Sequence, residues 1–264
     1  MALLAENTRR WKTMVVKPEA RRQALHFAAR ALVYKDKYVD LVAQIKRIYN
    51  LDIPWWFVPL VHERECTRGV DNWSCNIAQG TPFSQHSRIK PYNGPFSSWR
   101  VAAIQALVNE APKAARNTNW SGGGTMTIGE QYNGLGYARM GKPSPYIWSG
   151  TQHYVSGKYV RDGKYSAKCV DTQLGMAVAL KALMELDPTI QLDGDLPAQD
   201  KTARKSETAV GTGIFASILA FINTNPWFTF TWLDITGILV GTSILVGVIV
   251  YQIIKHKRSA VDVH

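Results

Sequence analysis

Cysteine is scarce in this chain of 264 residues: Cys66, Cys75 and Cys169 are the three it has. An odd, sparse set excludes a disulfide framework and permits at most one Cys66–Cys75 bridge, in an oxidising compartment. Acidic residues are outnumbered, 20 against 31 Lys and Arg, which gives a formal charge of +11. That balance suits an anionic partner such as nucleic acid, a lipid surface or an acidic wall polymer. There is no dense basic run interleaved with stacking aromatics and no nucleic-acid module, so nucleic acid is not an expected partner. MALLAENTRRWK has too short an apolar run to be a secretory signal. Gly122, Gly123 and Gly124 lack the preceding strand and the Lys-Ser/Thr ending of a phosphate loop. His62-Glu63 opens like the zinc motif HExxH, but the fifth position is Cys66. His62 and Cys66, completed by Cys75 or His86, are the metal alternative, and a cysteine paired with His86 or His153 is the thiol alternative. Neither has a local signature, so no metal and no cofactor is expected.

What is present begins with length enough for one substantial domain or two small ones. From Ile235 to Ile254 the sequence carries no charge, and Lys255, His256, Lys257 and Arg258 follow at once. About twenty apolar residues match the hydrocarbon thickness of a bilayer, so a transmembrane helix is expected at about 233–254 with a basic tail. The positive-inside tendency keeps that tail cytoplasmic and faces the rest outward. Gly237 and Gly241 form a small-xxx-small pair suited to self-association. Val210–Ile222 is apolar but short, and its insertion would make a hairpin with the main span. The organisation read from composition is a basic arm over 1–17, a domain over 18–186, a polar linker over 187–207 and a membrane region over 208–264.

Within the domain the spacing predicts helices over Pro18–Tyr34 and Asp36–Tyr49. The first buries Ala24, Leu25, Phe27, Ala28, Leu32 and Val33, and the second Tyr38, Leu41, Val42, Ile45 and Ile48. Eleven Lys and Arg stand against four acids in the first fifty residues, a solvated face that also suits an anionic surface. A helix is expected over Trp99–Ala115, capped by Ser97 or Ser98. Gly122–Gly124 reads as a turn, with Thr127 capping a short helix that carries Glu130, Tyr132 and Asn133. The Gly-, Tyr- and Ser-rich stretch from Tyr132 to Tyr165 reads as a loop-lined groove wall, in which Tyr132, Tyr137, Tyr146, Trp148 and Tyr154 offer faces to sugar rings. Val170–Leu186 closes the domain as an apolar helix.

The most informative stretch is Ile53 to Pro82. Trp55, Trp56, Phe57, Val58, Leu60 and Val61 form a buried rod, with Pro54 suited to a first helical position and Pro59 bending or tightening it. His62, Glu63, Arg64 and Glu65 follow at its end. A carboxylate held against aromatic walls loses hydration, and its pKa rises into the range of a general acid. The plain alternative is that Glu63 and Glu65 are surface charges on the last turn of a core helix.

WWFVPLVHERE, NIAQGTPF, EQYNGLGYARMGKPSPYIWSGTQHYVSGKYV and VDTQLGMAVALKAL, in that order, resemble the lysozyme-like peptidoglycan hydrolases of bacteriophages and prophages. These belong with goose-type lysozymes and lytic transglycosylases. The resemblance covers roughly residues 20–186 and implies a mainly α, two-lobed helical domain with a glycan groove. It implies Glu65 as the catalytic acid, with Glu63 as the fallback, and peptidoglycan as the partner. Tyr132 and Asn133 match the groove-lining turn of the family, and Glu130 an acidic position before it that holds the turn or a water. Gln79, Tyr137, Tyr146 and Trp148 complete the implied substrate-binding set. Thr81 stands where relatives often have aspartate after the Gln-Gly pair. Because a lytic transglycosylase needs one acid/base, hydrolase and transglycosylase both stay open. The expected span adds a tether to this picture: a protein held in the host inner membrane facing the wall, or one that is virion-associated. The contrasting expectation is a membrane-anchored glycan-binding protein without turnover.

Overall fold

Small side chains at helical spacing let two helices approach closely, and that pairing frames the domain. In the computed structural model, which describes residues 2–87, 93–161 and 163–194, α2 (Pro18–Val33) turns Ala20, Ala24, Phe27, Ala28 and Ala31 inward. It packs along α9 (Met176–Leu186), whose Met176, Ala177, Val178, Leu180 and Leu183 are buried. The described chain is mainly helical, as expected, with nine α-helices and one two-stranded sheet among the described residues. None of these helices is long and apolar enough to cross a membrane. The span at 233–254, its Gly237–Gly241 pair, Val210–Ile222, and the linker beyond Gly194 lie outside the described residues.

The inward stripe of α3 (Lys35–Tyr49) is Tyr38, Leu41 and Ile45. Val33 and Ile48 were expected inside, but both are at helix ends and are exposed, at 78% and 54%. Leu25 and Val42 are half-buried. The rod expected after Ile53 is α4 (Phe57–Glu65), entered through a turn in which Phe57 N–H donates to Pro54 O. Pro59 lies in the first turn, where its missing N–H costs no intrahelical bond. Phe57 to His62 are completely buried, so the apolar run is a core helix on every side.

The basic arm is not loose. Residues Ala2–Thr13 form α1, with Glu6 bridging Arg9 and Arg10 at 2.7 and 2.9 Å. Its buried face is Asn7, Arg10 and Trp11, laid on α6 (Gly122–Asn133). The three glycines expected to form a turn are instead the first turn of α6, capped by Ser121, whose Oγ accepts from Gly124 N–H at 3.1 Å. A Cβ at Gly122 would land on the Trp11 indole and one at Gly123 on Thr8, so glycine is what lets α1 seat.

α5 (Trp99–Ile104) is capped by Ser98, as expected, but ends early in a π-helical turn over Gln105–Asn109. Pro112 cannot continue a helix and disfavours helical backbone just before it. The stretch expected as plain loop holds α7 (Gly136–Arg139), α8 (Pro145–Trp148) and a hairpin of β1 (Lys158–Arg161) and β2 (Lys164–Ser166). Residues 170–175, expected in the closing helix, lie outside it: α9 begins at Met176, and Asp171 is held by Arg64, Lys158 and the Tyr154 hydroxyl. Residues 187–194, read as linker, are packed: Asp187, Ile190 and Leu192 are buried.

Candidate functional site

The two acids at the end of α4 have different fates. Glu63 is committed to structure: its carboxylate accepts from Arg30 of α2 at 3.0 Å and from Val70 N–H at 3.1 Å. Arg30 also holds Asp71. Glu65, one helical position from the cap, accepts from the Tyr146 hydroxyl at 2.8 Å. Burial pushes its carboxyl up to about 7, while the Tyr146 bond and the Arg64 charge pull it down. Ending a helix with a carboxylate acts in the same upward direction, since the carbonyl end of the helix is negative.

A crosslink holds a turn against the end of this helix. Cys66, the C-cap residue, is bridged to Cys75 with Cα atoms 5.8 Å apart, which draws the turn over residues 72–82 against the helix end. Gly80 has φ +69°, and a Cβ there would strike the Glu65 carbonyl. The turn continues through Asn76 N–H to Thr81 O and Gly80 N–H to Asn76 O. Gln79 is half-buried in it, and Thr81 is buried with a hydroxyl that has no hydrogen-bond partner. The Tyr132 hydroxyl donates to Ile77 O at 3.0 Å and feels the charges of Glu65 and Glu110.

A groove of about 430 Å³ is lined by Asn133, Tyr137, Tyr146, Lys158, Tyr159 and Arg64, among others; Glu65 is not in that lining and connects to it through its bond from Tyr146. The Arg64 guanidinium lies 4.8 Å from the Tyr146 ring centre and pairs with Asp171 at 2.9 Å. Lys158 reaches the other oxygen of Asp171 at 3.2 Å. The two cations hold the Asp171 carboxyl below the usual range in spite of its burial. The Tyr137 hydroxyl accepts from Tyr159 N–H, joining α7 to the hairpin. A smaller cavity of about 240 Å³ between α2 and α9 shares no lining residue with this groove.

Of the expected site residues, Glu65, Tyr132 and Tyr146 come together, and Asn133, Tyr137 and Tyr146 share the groove. Two do not join them. Glu130 is completely buried beneath α1, accepting from Asn7 at 3.1 Å, so it meets no substrate. Trp148 is likewise completely enclosed and offers no face to a sugar. Tyr154, also 2% exposed, donates to Gly157 O and accepts from Asp171 N–H.

The metal alternative loses its ligands. Cys66 is in the disulfide, and His62 Nε2 donates to Asn72 O at 3.0 Å, which leaves Nδ1 to accept from the Tyr38 hydroxyl at 2.9 Å. Burial drives His62 down to about 4, so it is neutral. No group of three or more His, Cys, Asp or Glu able to hold a metal occurs among the described residues. Sequence reasoning missed Arg64, Lys158 and Asp171, and also Glu110, which has one buried carboxylate oxygen without a partner. An acid following an apolar helix, as at Glu110, was the only signal for the last. The chain matches no family model, no curated protein and no solved structure.

Proposed function

We propose that the chain is a peptidoglycan-cleaving glycosidase, of the lysozyme or lytic transglycosylase kind, with Glu65 as its general acid. One observation carries this reading: a carboxyl poised near neutrality at the end of a buried helix, oriented by Tyr146, next to a tyrosine-lined groove. A protonated Glu65 gives its proton to the glycosidic oxygen as the C1–O bond breaks and positive charge develops on the sugar ring. The ionised Glu65 then takes a proton from the incoming nucleophile. Water as nucleophile leaves a reducing end, and the sugar's own hydroxyl leaves an anhydro end. Mass spectrometry of the products separates the two.

Glu65→Gln keeps the shape and removes the transferable proton, so clearing of purified peptidoglycan falls to background. Clearing within a few-fold of wild type rules Glu65 out as the acid. In this reading the described residues form the two-lobed lysozyme-like domain, and the apolar run at 235–254 tethers it to the host inner membrane, facing the wall, for phage lysis or wall opening during infection. Resistance of the full chain to carbonate extraction from membranes supports the tether, and release by carbonate removes it. The second reading, a glycan binder without turnover, draws on Thr81, which supplies no second carboxylate and whose hydroxyl is buried. Retention on sacculi with neither reducing nor anhydro ends favours it.

A further inference from the structure

The groove beside Glu65 carries an imbalance of charge that acid catalysis does not use. Arg64 and Lys158 line it, and Asp171, the one acid among its described lining residues, is shared between them, which leaves one positive charge in excess among those residues. Arg64 is mostly committed: its two terminal nitrogens bind Leu174 O and Asp171, Tyr146 covers the guanidinium, and its buried Nε alone has no partner. Lys158 is not. Its ammonium has three donors, of which Asp171 takes one, and a third of its side chain is open. The hairpin extends the same sign outward, since Gly163 lines the groove and Arg161 and Lys164 beside it are exposed. From Arg139 to Asp171 the sequence has six Lys and Arg against two acids. Tyr137, almost fully buried, and Tyr159 pack edge to face within the same lining.

A neutral sugar polymer needs none of this charge, whereas a glycan bearing acidic peptides presents carboxylates along its edge. Resting on the glycosidase reading above, we propose that Lys158 and the basic hairpin bind the peptide-stem carboxylates of the substrate, making the groove selective for peptide-bearing strands. Lys158 is the contacting residue, and Arg64 with Asp171 positions it.

The test uses the full chain and peptidoglycan stripped of phosphate polymers, with its carboxylates either free or capped as neutral amides. Capping should lower kcat/KM about five-fold through KM, the scale of one partly exposed ion pair, and added salt should narrow the gap. In Lys158→Gln the effect of capping should shrink to less than about two-fold. Lys164→Gln, an exposed position whose side chain has no partner among the described residues, should narrow it in part. Sedimentation of the Glu65→Gln protein with free and capped sacculi reads the same preference without turnover. Absence of turnover with a retained preference for free carboxylates therefore sinks the glycosidase reading and leaves the anion site standing. Equal affinity for free and capped material, or full discrimination in a folded Lys158→Gln protein, overturns the anion site.

Discussion

Removing one oxygen from Tyr146 tests how the acid is set. Tyr146→Phe keeps the ring that Arg64 covers at 4.8 Å but deletes the donor to Glu65. A hydrogen bond to a carboxylate favours its ionised form, so its loss raises the Glu65 pKa further above about 7. The high-pH limb of the pH–rate profile should therefore move upward. Turnover at pH 6 should fall roughly ten-fold as orientation is lost. An unmoved limb would mean that Tyr146 does not tune the acid. The sequence showed two glutamates at the end of an apolar rod and no means of choosing between them by local chemistry. Arg30, 33 residues earlier, makes the choice by occupying Glu63. Tyr146 and Trp148 looked alike as aromatic groove residues, yet one reaches the acid and the other fills the core.

At the scale of elements, α4 delivers the acid and the crosslinked turn after it packs on the helix end and on Tyr132. Replacing both Cys66 and Cys75 by alanine releases a short loop, and chain entropy puts the cost at about 2–3 kcal/mol. Activity should fall more than stability does, because Ile77 O, the partner of Tyr132, and Gly80, packed on Glu65, both sit in that turn. Urea unfolding compared with turnover well below Tm checks this; turnover unchanged while stability drops would show the turn plays no part in the site. α2 and α3, with an apolar stripe, were legible from spacing, as were the apolar run of α4 and the body, though not the start, of α9. α1 was not, because the side chains it buries are Asn7, Arg10 and Trp11, and the surface that receives them is a glycine triplet. The early end of α5 was legible in principle from Pro112.

Across the whole molecule, two buried groups pull stability in opposite directions with pH. His62 is depressed from 6.5 to about 4, so its contribution is complete above pH 6.5 and is lost as pH falls towards 4. Glu65 is raised from 4.5 to about 7, so its contribution is complete below pH 4.5 and is lost as pH rises through 7. The two slopes oppose each other between pH 4.5 and 6.5. Glu65→Gln removes one of them. Its stability relative to wild type should therefore grow between pH 4.5 and 7, by roughly 2 kcal/mol once the shift is discounted for the part of the residue open to solvent. Urea unfolding at both pH values reads the difference; a constant offset would mean that Glu65 is not the desolvated acid.

Local pattern alone determined the helical class, the buried rod ending in acids, a serine cap at 97 or 98 and the one cysteine pair that could bridge. Those features depend on neighbours within a turn or two of chain, where periodicity and backbone chemistry act directly. Tertiary structure decided which glutamate is left unpaired, why Glu130 and Trp148 are shut away, and that Arg64, Lys158 and Asp171 meet at the groove. Each of those outcomes depends on a partner distant in sequence, 123 residues for Asn7 with Glu130 and 107 for Arg64 with Asp171. Burial of a polar group is favourable only where such a partner satisfies it, and no local pattern announces the partner.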